Sequence, residues 1–247
     1  MSGHSKWSQI KRKKGEKDAA RGKLFTKLIR EITVASREGG GDPSGNTRLR
    51  LAVQTAKEAN MPQDNIARAI KKGTGELEGV NYEEVSYEGY GPGGVALMID
   101  TLTDNKNRTT AEVRRVLTRH SGHLGEAGCV SFIFDTKGVI FIPKESCDEE
   151  KLLALALDAG AEDVRDEGDG FEVLSALHDF EAVRHAITGA NIKYDSAEIQ
   201  KIPKSLVPVD GEDAQKVVKL MEVLEDLDDV QRVSANFDVP ADALGEG

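Results

Sequence analysis

The spacing of the apolar residues changes near Gly75, and this change divides the chain into two kinds of structure. Before Gly75, apolar residues recur at helical spacing, as Leu24, Leu28 and Ile32 do. After Gly75, short apolar runs bounded by turn residues alternate with amphipathic helices. The sequence therefore predicts an α+β protein whose first part is helical and whose remainder consists of sheets covered by helices.

Three amphipathic helices are predicted in the N-terminal part. The first covers residues 24–37, the second begins after Asn46 as its N-cap, and the third has Pro62 in its first turn and ends at Gly73. Short connections that contain glycine join them into a small helical domain. Its outer face is expected to carry Lys23, Lys27, Arg30, Arg68, Lys71 and Lys72.

Residues 138–203 follow the order βαββαβ, which is the ferredoxin-like arrangement. The segments on either side supply two strands around the turn "GYGPGG", a helix in which Thr109 and Glu112 have capping-box spacing, a strand at 129–135, and a final helix and strand. These flanking segments predict a second α+β domain, of the α/β sandwich type, into which the ferredoxin-like unit is inserted. The predicted domains are 1–77, then 78–136 together with 206–247, and the insert 137–205.

The charge is distributed unevenly along the chain. The protein has 33 basic and 43 acidic residues, a formal charge of -10. Residues 1–75 hold 17 basic and 7 acidic side chains, and residues 76–247 hold 16 and 36. This asymmetry is typical of a polyanion-binding arm on an acidic body, and the alternative is a solvated lysine-rich tail without a partner.

The basic arm and one basic helix in the acidic body are the candidate nucleic-acid contacts. Trp7 lies beside the basic run, where it can either stack on an unpaired base or pack on the helical domain. No recognition-helix motif is present, so contacts to phosphate are expected more than contacts to bases, with the polyanion in the cleft between domains. The predicted binding residues are Lys6, Trp7, Lys11, Arg12, Lys13, Lys14, Arg21, Lys23, Lys27, Arg30, Arg108, Arg115 and Arg119.

Other classes of function find little support in the sequence. No GxSxG, Walker A, Rossmann or HExxH motif occurs, so no enzyme, cofactor or metal is expected. His120, His123 and Cys129 are separated by glycines, which favours a loop over a zinc site. The longest apolar run, 152–157, is too short to span a membrane, and two cysteines in the whole chain suit a reducing cytoplasm. The apolar stripe of the first helix is explained better by packing on the other two helices than by binding to a membrane surface.

Several stretches together closely resemble the YebC/PmpR family, among them "GHSKWSQIK", "RGKLFTKLIREITVASREGGGDP", "YEGYGPGGVALM", "TDNKNRT" and "GCVSFIFDTKGVI". The resemblance implies three domains and a nucleic-acid-binding basic surface. Members are described as transcriptional regulatory proteins, whereas mitochondrial relatives are described as translational activators and bacterial members have been linked to the ribosome. The expected function is therefore DNA-binding transcriptional regulation, with an RNA-associated or ribosome-associated translation factor as the alternative. The acidic insert is expected to contact a protein or to set the spacing of the other domains.

Overall fold

The structure, a computed structural model, describes residues 18–239, with side chains from residue 22 onward. Seven α-helices lie in this part of the chain: α1 (Asp18–Gly39), α2 (Thr47–Glu58), α3 (Gln63–Gly73), α4 (Lys106–Arg119), α5 (Glu149–Asp158), α6 (Phe180–Gly189) and α7 (Gly211–Glu225). The strands are β1 (Glu83–Tyr90), β2 (Ala96–Thr103), β3 (His123–Leu124), β4 (Phe134–Pro143), β5 (Ala161–Asp166), β6 (Gly170–Ser175), β7 (Ser196–Pro203), β8 (Val207–Pro208), β9 (Val230–Ala235) and β10 (Phe237–Asp238).

The helices α1, α2 and α3 pack around a core of their own, as their apolar stripes predict. Ile32, Leu49 and Ile66 are fully buried in it. The buried Asn46 joins two helix ends, because its side chain accepts a hydrogen bond from the Leu49 amide and donates one to the Ala35 carbonyl. This double cap fixes the turn between α1 and α2, and the predicted N-cap at Asn46 is confirmed.

An antiparallel sheet of four strands, in the order β3-β1-β2-β9, forms the second unit. Helices α4 and α7 cover one face, where Leu97, Leu117 and Leu220 are fully buried. Beside this sheet, β8 and β10 form a short parallel pair. The turn between β1 and β2 includes a short 3-10 turn, Pro92–Gly94, so the predicted hairpin around "GYGPGG" is confirmed.

The third unit is an antiparallel sheet in the order β5-β6-β4-β7, packed against α5 and α6. This strand order and the βαββαβ succession are those of a ferredoxin-like domain, so the predicted arrangement is confirmed. Gly138 permits α6 to approach the sheet, because a Cβ atom at this position would collide with the Phe180 ring.

Strand β4 runs from one unit into the next. Its first residue, Phe134, is buried with Ala96 and Met98 on the second face of the four-stranded sheet, whereas Ile140 and Ile142 lie in the core of the inserted unit. The returning strand β7 pairs with β4 from Phe134↔Pro203 to Phe141↔Ser196. The outgoing and returning segments therefore lie side by side, as expected of an insertion.

The α+β class with a helical domain, a sheet domain and a ferredoxin-like insert is confirmed, whereas the exact domain boundaries stay a prediction. The predicted strand 129–135 is wrong for residues 129–133, whereas Phe134 and Asp135 begin β4. Residues 125–130 form a loop and Ser131–Ile133 a short 3-10 turn, because the amides of Gly128, Val130 and Ser131 donate to the Glu88 carboxylate instead of to a neighbouring strand. The predicted capping box in α4 is also wrong, since Asn105 is the N-cap and accepts from the Arg108 amide.

Candidate nucleic-acid interface

The basic stripe of α1 faces the sheet domain. Lys23 donates to the Asp226 carboxylate at 2.5 Å, and Lys27 donates to the Glu225 carbonyl at 2.7 Å. Arg30 pairs with Asp229 at 2.6 Å, and its side chain is only 13% exposed. These acceptors lie at or just after the C-terminal end of α7. The expectation that an outer face carries Lys23, Lys27 and Arg30 is therefore wrong for Lys27 and Arg30, which are partly buried, whereas Lys23 is exposed but paired. The role of all three as nucleic-acid contacts stays a prediction.

Asp229 is the centre of a buried ionic network at this contact. Its side chain accepts from Arg30 and Arg108, from Thr109 at 2.6 Å and from Thr103 at 3.2 Å. Burial raises the pKa of Asp229, but the hydrogen bonds from Arg108, Thr109 and Arg30 outweigh it and lower the pKa to about 2. The network joins α1 to α4 and to the sheet, and it holds the helical domain against the body.

Arg108 belongs to this network, which changes its expected role. Its guanidinium pairs with Asp229 and with Asp104, each at 2.7 Å, and these hydrogen bonds raise its pKa. The sequence predicts Arg108 as part of a free basic patch with Arg115 and Arg119. The structure brings Arg108 together with Arg30 on one carboxylate instead, because the turn before β9 places Asp229 between the two helices.

The helical domain also contacts the insert. Leu51 of α2 packs against the core of the insert, and Arg184 of α6 hydrogen-bonds with Gln54 and pairs with Glu181 at 2.7 Å. Gln54 donates in addition to the Tyr194 hydroxyl at 2.8 Å. The three units thus enclose a common cleft.

The cleft has a volume of about 1440 Å³ and is lined by residues of all three units. Among its lining residues, six are basic and eight are acidic. Several of the cations are neutralised locally, as Lys201 is by Asp100 at 2.5 Å and Arg232 is by Glu198 at 2.9 Å. While its cations are paired, this acidic cleft disfavours a polyanion. The predicted placement of nucleic acid in the cleft therefore stays a prediction, and it requires pairs at the edge of the cleft, such as Lys23 with Asp226, to open.

Most of the exposed cations without an ion pair in the described residues lie elsewhere, on α3 and α4. On α4, Arg115 and Arg119 are exposed one turn apart, and neither has an ion pair with any described residue. The exposed residues of this kind on the two helices are Arg68, Lys71, Lys72, Lys106, Arg114, Arg115 and Arg119. Every other basic residue described in the sheet domain, 78–136 and 206–239, is paired with a carboxylate. Helix α4 is therefore the free positive surface of the sheet domain.

The remaining predicted contacts lie outside the described part of the chain. Lys6, Trp7, Lys11, Arg12, Lys13 and Lys14 precede residue 18, and the side chain of Arg21 precedes residue 22. Their role as contacts stays a prediction. The partners Glu225, Asp226 and Asp229 were missed by sequence reasoning, although "EDLDDV" at 225–230 is a visible acidic run.

The loop that contains Cys129 is organised by a carboxylate. This carboxylate belongs to Glu88. Burial alone would raise the pKa of Glu88, but hydrogen bonds from the Val130, Gly128 and Ser131 amides outweigh the burial and lower the pKa. The His123 ring stacks on Tyr90, with centroids 5.3 Å apart. Within residues 18–239 no group of His, Cys, Asp and Glu side chains is arranged to hold a metal ion.

Fold and surface define a three-domain α+β protein with a ferredoxin-like insert and a partly neutralised set of basic residues. Residues 5–76 match the family model described as "TACO1/YebC protein N-terminal domain", and residues 82–237 match "TACO1/YebC second and third domain". The chain therefore belongs to the TACO1/YebC family.

Similar proteins cover the whole chain. A protein of Desulfatibacillum aliphaticivorans is 56% identical over 100% of both chains, and one of Geobacter sulfurreducens is 58% identical over 99% of this chain and 98% of its own. Both are named probable transcriptional regulatory proteins. The crystal structure of the conserved hypothetical protein Aq1575 from Aquifex aeolicus has a TM-score of 0.84 and 52% identity, covering 90% of this chain and 92% of that one. No helix in the described residues is long and apolar enough to cross a membrane.

Proposed function

We propose that this protein is a transcriptional regulator that binds DNA through its basic N-terminal segment and the exposed face of α4. The name shared by its relatives supports the regulatory role. The observation that carries the DNA contact is the set of unpaired cations on α4, in a sheet domain whose other described cations are paired with carboxylates.

The arrangement suits contact with phosphate. Arg114, Arg115 and Arg119 project from a helix whose opposite side, with Val113 and Leu117, is buried against the sheet. A rigid helix presents guanidinium groups at fixed spacing, and arginine binds phosphate oxygens in a bidentate manner. Such contacts give affinity and orientation without strong preference for sequence.

The insert has a different electrostatic character. Within 137–205 there are 8 basic and 15 acidic residues, a net charge of -7. Half of these cations are paired with carboxylates of the insert itself, as Lys137 is with Glu162 and Lys144 is with Asp166. We therefore assign phosphate contact to the other two domains, and we keep a protein partner or a spacing role for the insert.

Fluorescence anisotropy of the purified chain tests this function. A labelled DNA duplex of about 20 base pairs and an RNA of matching sequence are titrated at several NaCl concentrations. We expect duplex DNA to bind with a salt slope of about 0.9 for each phosphate contacted. The variant Lys11→Glu, Arg12→Glu, Lys13→Glu, Lys14→Glu should bind weakly, while circular dichroism shows a folded protein.

Crosslinking in cells, followed by sequencing of bound DNA and RNA, decides the physiological target. Enrichment of promoter DNA supports the proposal. Enrichment of ribosomal RNA with no DNA enrichment contradicts transcriptional regulation and favours the translation alternative.

In the anisotropy experiment, equal affinity of the wild type and the quadruple variant would contradict the basic segment as the contact.

A further inference from the structure

We propose that the C-terminal end of α7 is an internal competitor for the basic stripe of α1, and that a bound nucleic acid displaces it from Lys23 and Lys27. This inference rests on the proposed function and concerns its regulation. In the described structure the side chains of this stripe are bonded to acceptors of the sheet domain, so part of the positive charge of the N-terminal domain does not face a polyanion.

The acceptors at the end of α7 are one carboxylate and two backbone carbonyls. Lys23 contacts the Asp226 carboxylate at 2.5 Å and its carbonyl at 3.4 Å, and Lys27 contacts the Glu225 carbonyl at 2.7 Å. Carbonyls in the last turn of a helix have no partner within the helix and carry partial negative charge. The carboxylate and these carbonyls together supply an anionic surface that fits cations four residues apart on one helical face.

The two halves of the contact differ in exposure. In the outer half, the side chains of Lys23 and Asp226 are 45% and 69% exposed. In the inner half, Arg30 and Asp229 are 13% and 4% exposed, and Asp229 is also held by Arg108 and Thr109. Exposed ion pairs contribute little to stability, whereas removing one partner from a buried pair is costly. A polyanion can therefore replace Asp226 as the partner of Lys23, while the ion pair between Arg30 and Asp229 stays intact.

The test compares two variants in which a carboxylate on the same turn is replaced by an uncharged amide. Asp226→Asn removes the carboxylate that holds Lys23. Asp228→Asn removes an equally charged, exposed side chain two residues away, which makes no hydrogen bond or ion pair with a described residue. Binding of a labelled DNA duplex is measured by anisotropy as a function of NaCl for both variants and the wild type.

We expect Asp226→Asn to bind about three to ten times more tightly than the wild type, with a similar salt slope, because Lys23 then meets a phosphate without first leaving a carboxylate. Asp228→Asn should bind within twofold of the wild type and keep its slope. Lys23→Ala should change the affinity of the wild type little and should abolish the gain in Asp226→Asn. Hydrogen exchange of amides 222–229 should rise when wild-type protein binds DNA.

Equal behaviour of the two neutral variants would overturn the inference and leave the proposed function intact. The inference also fails if Lys23→Ala weakens the wild type as strongly as it weakens Asp226→Asn, because Lys23 would then be free already. Absence of DNA binding by the wild type and by both variants would overturn the inference together with the proposed DNA-binding function.

Discussion

Replacing Asp229 by Asn should loosen the junction between the helical domain and the body, and its cost can be worked out from the contacts. Lowering the pKa of Asp229 from 3.8 to about 2 corresponds to roughly 2 kcal/mol of stabilisation at neutral pH, at about 1.36 kcal/mol per pH unit. Breaking a buried pair costs about 3–5 kcal/mol. Arg108 is 42% exposed and keeps Asp104, so the lower end applies.

We therefore expect Asp229→Asn to lose about 2–3 kcal/mol at pH 7. For a chain of this size the loss corresponds to a melting temperature lower by about 5–10 °C. Because the folded-state pKa of Asp229 is depressed, its contribution is complete above about pH 4 and is lost as the pH falls toward 2. The difference between variant and wild type should shrink to about half at pH 3.

Differential scanning calorimetry at pH 7 and pH 3 measures both effects. The control is Asp228→Asn, which changes the net charge equally on the exposed side of the same turn and should melt like the wild type. A melting temperature for Asp229→Asn within about 2 °C of the wild type at pH 7 would refute the reasoning. An undiminished difference at pH 3 would refute the part assigned to the ionised carboxylate.

Three further changes test other parts of the structure. Arg115→Ala with Arg119→Ala should lower the salt slope of DNA binding by about 1.8 without changing the melting temperature, whereas Lys151→Ala on the acidic insert should leave the slope unchanged; anisotropy and thermal melting measure both. Glu88→Gln replaces one carboxylate oxygen by an NH2 group, which cannot accept from the backbone donors of the loop, and should cost about 1–3 kcal/mol above pH 5. The loss should appear as faster hydrogen exchange at residues 128–131, and unchanged exchange contradicts the role of the carboxylate. Gly73→Ala should destabilise the helical domain by about 1–3 kcal/mol, because its Cβ would collide with the Thr33 carbonyl, while Gly189→Ala points into open space and should melt at or above the wild-type temperature.

Much of the fold could be predicted because local patterns decide it. The apolar spacing of α1 marks its buried side, Asn46 is a cap by its residue type, and the βαββαβ order defines the insert before any contact is known. The errors fall where a distant group overrides the local pattern. Residues 129–133 have strand composition, yet the Glu88 carboxylate, about forty positions earlier, takes their amides.

The candidate site was less predictable than the fold for the same reason. A helical wheel shows that Lys23, Lys27 and Arg30 share a face opposite the core, but it does not show whether water, nucleic acid or another domain covers that face. The covering group lies some two hundred residues later in the chain, at Asp226 and Asp229. By contrast, Arg115 and Arg119 are exposed as their positions on α4 predict, because the partner of this helix is the sheet to which it is directly connected.

Strand β4 has a consequence for how the family can vary in length. Since side chains alternate between the two faces of a strand, one added or deleted residue after Phe134 would turn Ile140 and Ile142 out of the core of the insert. The paired strand β7 would have to change by the same amount to keep its ladder. Length differences among homologues should therefore be absent from this two-stranded connection and concentrated in turns such as Gly168–Gly170, and the angle between the two sheets should be inherited as a fixed property.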